Sequence, residues 1–259
     1  MDLLLTGKRV LITGASKGIG LATAWSFARE GCDLCLTARS ADRLDEAAAT
    51  ITTDTGVAVE VFPADLRNAD ERGRVIELSG DIDILVNNAG DIPGGNLDQL
   101  DDTAWRAGWE LKVFGYIDMT RRVYARMRER GHGVIINDIG AAGERFDAGY
   151  IAGSTGNAAL MSFTRALGAR SINEGVRVVG INPGLVATER SVMMLRAMAG
   201  RRFGDTERIE EVLAQFPGGR CAEPAEIADA MVFLASDRSA YTSGVILTID
   251  GGLCAAGGQ

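Results

Sequence analysis

The segment Thr13-Gly14-Ala15-Ser16-Lys17-Gly18-Ile19-Gly20 leaves this chain few folds to choose from. Ahead of it, Lys8-Arg9-Val10-Leu11-Ile12 has the apolar run of a buried strand. Behind it, Leu21-Ala22-Thr23-Ala24-Trp25-Ser26-Phe27-Ala28 has helical period. Glycines let backbone approach backbone, and a helix N-terminus offers unpaired N–H groups and the positive end of its dipole to a pyrophosphate. The motif sits between a strand and a helix, which is the context that gives it meaning.

The rest of the chain repeats the alternation. Strands are predicted near 8–13, 33–38, 57–62, 82–86, 133–138, 176–181 and 245–249. Helices are predicted near 19–30, 41–53, 68–79, 103–129, 153–172 and 224–235. Runs such as Ile82-Asp83-Ile84-Leu85-Val86 and Val176-Arg177-Val178-Val179-Gly180-Ile181 suit strands covered on both faces. The expected fold class is α/β: a Rossmann-type, doubly wound parallel sheet of about seven strands with helices on both faces and ligands at the carboxyl ends of the strands. No linker, repeat or low-complexity stretch divides the 259 residues, so one domain over 1–259 is expected.

Composition narrows the partners. A net charge of −8 without a basic patch argues against nucleic acid. No run of about 18 apolar residues is present to span a membrane. The start Met1-Asp2-Leu3-Leu4-Leu5-Thr6-Gly7 is short and acidic for a signal peptide, and a cytoplasmic location is expected. Cys32 and Cys35 make a C-x-x-C, but both fall on a strand, where residues three apart face opposite ways; no metal is expected there. The single histidine, His132, lies in a Gly-His-Gly turn and leaves no basis for a His-based triad or a zinc site.

The second strand ends Leu36-Thr37-Ala38-Arg39-Ser40, with no acid to take a ribose 2′-OH. Arg39 there and Lys17 in the glycine turn favour a 2′-phosphate, hence NADP(H) over NAD(H); the alternative is that both are solvated charges. Asp65, in Ala64-Asp65-Leu66 after the third strand, suits an adenine amino group, a helix N-cap, or both. Asn87-Asn88-Ala89-Gly90 follows the fourth strand, with small and amide residues that let the backbone pass under a cofactor.

These motifs, with Asn182-Pro183-Gly184, Thr188 and the ending Ser243-Gly244…Asp250-Gly251-Gly252, resemble the short-chain dehydrogenase/reductase family over nearly the whole length. The resemblance implies a nicotinamide cofactor over the strand ends. It would be held by Gly14, Ser16, Lys17, Gly18, Ile19, Gly20, Arg39, Asp65, Leu66, Asn87, Ala89 and Gly90. Pro183, Gly184 and Thr188 would hold its carboxamide end. It also implies a catalytic Asn, Ser, Tyr and Lys, and here the sequence departs at every position. Ungapped counting from Asn157-Ala158-Ala159-Leu160 and from Asn182 puts Gly153 at the tyrosine, Asn157 at the lysine, Gly140 at the serine and Lys112 at the asparagine.

Asparagine and lysine have therefore changed places. Lys112 shares a helical stripe with Trp105, Trp109, Tyr116, Met119 and Val123, where a solvated lysine is out of place. We expect a swap, in which Lys112 supplies the ammonium and Asn157 the amide; the alternative is that Lys112 snorkels out along the helix edge. Tyr150, one turn before Gly153, is the candidate acid, or else only a pocket wall. Asp138, two residues before Gly140 on the same strand face, is a second candidate acid or an ion-pair partner of Lys112.

From Glu189 to Phe216 the sequence changes character. Val192, Met193, Met194, Leu195, Met198 and Phe203 give adaptable apolar surface beside Arg190, Arg196, Arg201 and Arg202. The segment reads as a lid near 189–216 over an apolar pocket with a cationic rim, or as an amphipathic helix whose arginines face water. The expected substrate is a small molecule, apolar or aromatic, with an anionic group. Long helices near 103–129 and 153–172 carry surplus apolar positions, and the resemblance implies that they pair in a homo-oligomer, a tetramer or dimer. The expected function is hydride transfer between NADP(H) and a carbonyl/alcohol pair by rearranged catalytic groups. Its rivals are a non-catalytic NADP(H)-binding sensor or scaffold and a lyase or isomerase on this fold.

Overall fold

A computed structural model describes residues 1–256. In chain order the elements are β1 (Arg9–Thr13), α1 (Gly18–Arg29), β2 (Asp33–Thr37), α2 (Ala41–Thr55), β3 (Val59–Val61), α3 (Ala69–Ser79), β4 (Ile84–Asn87), α4 (Asp102–Trp109), α5 (Gly115–Arg130), β5 (Gly133–Asp138), α6 (Ile151–Ser171), β6 (Val176–Pro183), α7 (Glu189–Phe203), α8 (Ile209–Leu213), α9 (Pro224–Ala235) and β7 (Ile246–Ile249). The seven strands form one parallel sheet in the order β3-β2-β1-β4-β5-β6-β7. The order reverses between β1 and β4, and a crevice opens outside their carboxyl ends.

Period-two side chains build the two layers. Val10, Ile12, Ile84, Val86, Val134 and Ile136 face one core with Phe27, Ile227 and Met231. Leu11, Leu85, Ile135 and Val178 face the other with Val75, Met119 and Met127. Cys32 lies in the first core and Cys35 in the second, so the two thiols cannot share a metal or a disulfide. Burial pushes them up to about 12 and about 11. Among the described residues no helix is long and apolar enough to cross a membrane, and no cluster of metal-ligating side chains occurs.

The helix expected over 103–129 is present, with one wide turn inside it. α4 and α5 are joined by a π-helical turn, Glu110–Phe114, with Lys112 at its centre. Spacings of three and four along an apolar stripe are compatible with one wide turn, so periodicity hides it. Such turns re-aim side chains and recur at functional sites.

The 189–216 segment forms α7 and α8, which pack on each other through Leu195, Ala199 and Val212 with Met198 and Phe203. A parallel bridge between Val186 and Ala222 pins both stems, so the chain leaves and re-enters the fold at one place. Thr188 caps α7, its side chain accepting from Ser191 N–H.

Candidate active site

A cleft of about 950 Å³ lies over the carboxyl ends of β1, β2, β4, β5 and β6, with α7 along one rim. Gly14 and Gly18 turn the chain at φ +68° and +57°, a conformation that L side chains rarely adopt. A Cβ on Gly14 would sit 2.9 Å from Ala89 Cα, so the turn and the β4 loop can approach only as glycine and small residue. No side chain caps α1, which leaves its first N–H groups free to face an anion.

Of the predicted cofactor residues, Gly14, Ser16, Lys17, Gly18, Ile19, Arg39, Asp65, Leu66, Ala89, Gly90, Pro183, Gly184 and Thr188 line the cleft. Gly20 and Asn87 do not. Gly20 lies behind the turn, where a Cβ would fall on the Gly14 carbonyl. Asn87 is fully buried and donates to Thr120 Oγ1 at 3.0 Å and Asn137 Oδ1 at 2.9 Å, tying β4 to α5 and β5. Its neighbour Asn88 lines the cleft instead and clamps the turn, donating from Nδ2 to the Thr13 carbonyl at 2.8 Å. Asp65 is not the cap of α3: that is Asn68, which accepts from Asp70 N–H at 2.8 Å. Asp65 accepts from Arg67 N–H at 3.1 Å and stays on the cleft wall. Sequence reasoning missed Ser40 and Arg43, which also line the cleft; a cation in the first turn after the strand-2 end was the available signal.

At the other end of the cleft lie Lys112, Asp138, Gly140 and Tyr150. Lys112 does not snorkel. Its stem runs over Gly90, where a Cβ would lie 2.9 Å from Cδ, and its ammonium donates to the Ile139 carbonyl at 2.5 Å, 5.9 Å from the centre of the Tyr116 ring. Burial lowers Lys112 to about 8, with the Asp138 carboxylate pulling upward and Arg190 pushing further down. Asp138 is 7% exposed, its carboxylate accepts no hydrogen bond among the described residues, and burial raises it to about 6 against the pull of Lys112. Tyr116 is held away from the cleft by donating to the Asp138 carbonyl at 3.0 Å.

Tyr150 stands at the head of α6, and its ring occupies the space that a Cβ on Gly153 would fill. Its phenol is raised above the ordinary range by burial, with Arg190 opposing. Asn157, expected in the site, is buried behind it. Its Nδ2 donates to the Gly140 carbonyl at 3.3 Å, and a Cβ on Gly140 would lie 2.9 Å from that nitrogen. Asn157 Oδ1 has no partner among the described residues.

The cationic rim reduces to one residue. Of the four lid arginines only Arg190 lines the cleft, donating to the Ile92 carbonyl at 2.5 Å and lying 3.6 Å from Asp91. Arg196 turns outward to Glu207 and Arg202 to Gln215. Met193 and Met194 join Ile92 and Pro93 to make the apolar wall.

A family model described as Enoyl-(Acyl carrier protein) reductase matches residues 14–254. The chain belongs to the short-chain dehydrogenase/reductase family. Its relatives include a galactitol 2-dehydrogenase (L-tagatose-forming) of Cereibacter sphaeroides, 34% identical over 96% of this chain and 95% of the relative. An acetoacetyl-CoA reductase of Allochromatium vinosum is 32% identical over 94% of this chain and 97% of its own. The crystal structure of L-sorbose reductase from Gluconobacter frateurii, complexed with NADPH and L-sorbose, superposes with a TM-score of 0.91 at 35% identity, covering 98% of this chain and 99% of that one.

Proposed function

We propose that this protein is an NADP(H)-dependent oxidoreductase that interconverts a carbonyl and a secondary alcohol, with Lys112 and Tyr150 acting from exchanged positions. The observation that carries the reading is the Lys112 ammonium, turned into the cleft onto the Ile139 carbonyl rather than out to water. The uncapped α1 N-terminus and the Gly14–Gly18 turn fit a pyrophosphate, Lys17 and Arg39 a 2′-phosphate, Asp65 and Leu66 the adenine, and Pro183, Gly184 and Thr188 a carboxamide. NADP(H), when bound, supplies or accepts the hydride. The relatives point to ketone/alcohol pairs, L-tagatose, L-sorbose and acetoacetyl-CoA among them.

In this reading the chain's own groups handle the proton and the geometry. Tyr150 donates its phenolic proton to the carbonyl oxygen in reduction and takes it back in oxidation. A phenol near pKa 10 does this poorly at neutral pH, and an ammonium about 4 Å away at an effective dielectric of about 20 favours the phenolate by roughly 4 kcal/mol, about three pKa units. In this reading Lys112, turned into the same cleft, supplies that charge, and Arg190 already pulls the Tyr150 phenol downward. Asn157 acts as a positioning residue by holding the Gly140 carbonyl. Met193 and Met194 take the apolar part of the substrate, and Arg190 its anionic group. The protein works in the cytoplasm as a homo-oligomer, whose size light scattering will report.

A second reading, a non-catalytic NADP(H)-binding protein, is favoured by Gly140 and Gly153, which remove both hydroxyls of the family's catalytic set. NADPH consumption across a carbonyl panel separates the two. The first reading expects turnover that Lys112→Met and Tyr150→Phe each reduce at least about tenfold. Turnover and NADPH affinity both unchanged in Lys112→Met would refute the exchange.

A further inference from the structure

Three cations converge at the nucleotide end of the cleft. Lys17 comes from the glycine turn, Arg39 from the end of β2, and Arg43 from the first turn of α2. One acid answers them, and it comes from the lid. Glu189, the first residue of α7, places Oε2 2.9 Å from Lys17 Nζ and 3.7 Å from Arg43 Nη1. Its carboxyl is held below the ordinary range by Lys17 first and Arg43 second. Arg39 has no carboxylate partner among the described residues, so it remains available to an anion.

A carboxylate shared by two cations meets the need that a phosphate on a ribose 2′-oxygen would meet. We propose that Glu189 is an internal stand-in for the 2′-phosphate and sets the cofactor preference: it occupies Lys17 and Arg43 until NADP(H) displaces it. This rests on the reading of NADP(H) as cofactor. A 2′-phosphate and the Glu189 carboxylate cannot both use the same two cations at close range without facing each other as like charges. Binding of NADP(H) therefore moves Glu189 off Lys17 and Arg43. NAD(H), with a neutral 2′-OH, leaves the contact in place. Glu189 thus weakens NADP(H) selectively and narrows the gap between the two cofactors. Because Glu189 begins α7, the same contact holds the first turn of the lid toward the nucleotide side, and coupling between the two must be reciprocal.

The size of the effect follows from exposure. Lys17 and Glu189 side chains are 56% and 60% exposed, so their pairing is weak and screened. We expect Glu189→Gln to tighten NADP⁺ about three- to tenfold while NAD⁺ stays within about twofold. The experiment is titration calorimetry of NADP⁺, NAD⁺, 2′-AMP and 5′-AMP against wild type, Glu189→Gln and Glu189→Ala, at low and high salt. Selective tightening of NADP⁺ and 2′-AMP in both variants, shrinking as salt rises, supports the proposal. Unchanged or weaker NADP⁺ binding overturns it, as does equal tightening of NAD⁺, which would mark a lid effect without competition for the cations. Failure of the underlying reading looks different: 2′-AMP would then bind no tighter than 5′-AMP, and NADP⁺ no tighter than NAD⁺, in wild type and in both variants alike. That outcome overturns both.

Discussion

Lys112→Met should make the protein more stable at neutral pH while removing its activity. The buried ammonium is lowered from 10.5 to about 8. At pH 7 its charged form is therefore less favourable in the folded chain than in the unfolded one by about 2.5 pKa units, or about 3 kcal/mol. Methionine keeps the stem over Gly90 and drops the charge, so a gain of at most about 3 kcal/mol is expected at pH 7. The gain then shrinks as pH rises. A lysine whose folded pKa is lowered costs stability fully below about 8 and not at all once the unfolded chain is also neutral, above about 10.5. Between pH 7 and pH 9.5 the advantage of the variant should fall by about 2 kcal/mol. Urea unfolding of both proteins at matched concentration and at the two pH values measures this directly. A variant less stable at pH 7, with a deficit that does not change by pH 9.5, would refute the reasoning, because Lys112 would then not be a desolvated cation. Gained stability with lost turnover is the pattern expected where a strained group is kept for function.

The other predictions use the same neighbourhood. Asp138→Asn removes the anion that pulls Lys112 upward, so the alkaline limb of the pH–turnover profile should move to lower pH; an unmoved limb would mean that the two groups do not interact. The same substitution should stabilise the chain above about pH 6, where the raised Asp138 carboxyl is charged, and not below about 4. Gly153→Ala puts a Cβ into the Tyr150 ring, and we expect turnover to fall at least about tenfold with about 1–3 kcal/mol of lost stability and little change in NADP⁺ affinity. In Ellman's assay Cys32 and Cys35, raised to about 12 and about 11, should stay silent in the native protein and react on unfolding.

Much of this architecture was legible because it depends on local rules. The glycine turn between an apolar run and a helical run dictated β1, α1 and the crevice above them, and continuous apolar strands dictated a sheet covered on both faces. Opposite-facing Cys32 and Cys35 followed from strand geometry alone. What escaped depended on depth and on contacts between distant segments. Asn87 and Asn88 are indistinguishable as letters, yet one ties three elements together in the core and the other clamps the glycine turn at the cleft. Asn157 carries the right chemistry in the right register but sits a layer behind the wall, because Gly140 lets it come close to the backbone instead. Four lid arginines look equivalent along the chain, and only the packing of α7 on α8 turns three of them away from the cleft. The π-helical turn at Lys112 is hidden by a spacing that a regular helix also satisfies.

Three glycines around the cleft fit their neighbours as volumes. The backbone at Gly153 leaves room for the Tyr150 ring, at Gly140 for the Asn157 amide, and at Gly90 for the Lys112 stem. In each case the missing Cβ belongs to one segment and the side chain that uses the space to another position or another element. Loss of a catalytic set by drift would leave holes, and a hole in a close-packed interior costs about 24 cal/mol per Å³. Here the space beside Gly153 and Gly140 is filled by a phenol and an amide rather than by aliphatic groups that would stabilise more. The ammonium that enters from the α4–α5 side is a cost to stability, since burial, with Arg190 adding to it and Asp138 opposing, lowers its pKa to about 8. A set of changes that preserves packing while retaining a buried cation, a buried carboxylate and a phenol in one cleft conserves chemical capacity at the expense of stability, and that is the combination a working site requires.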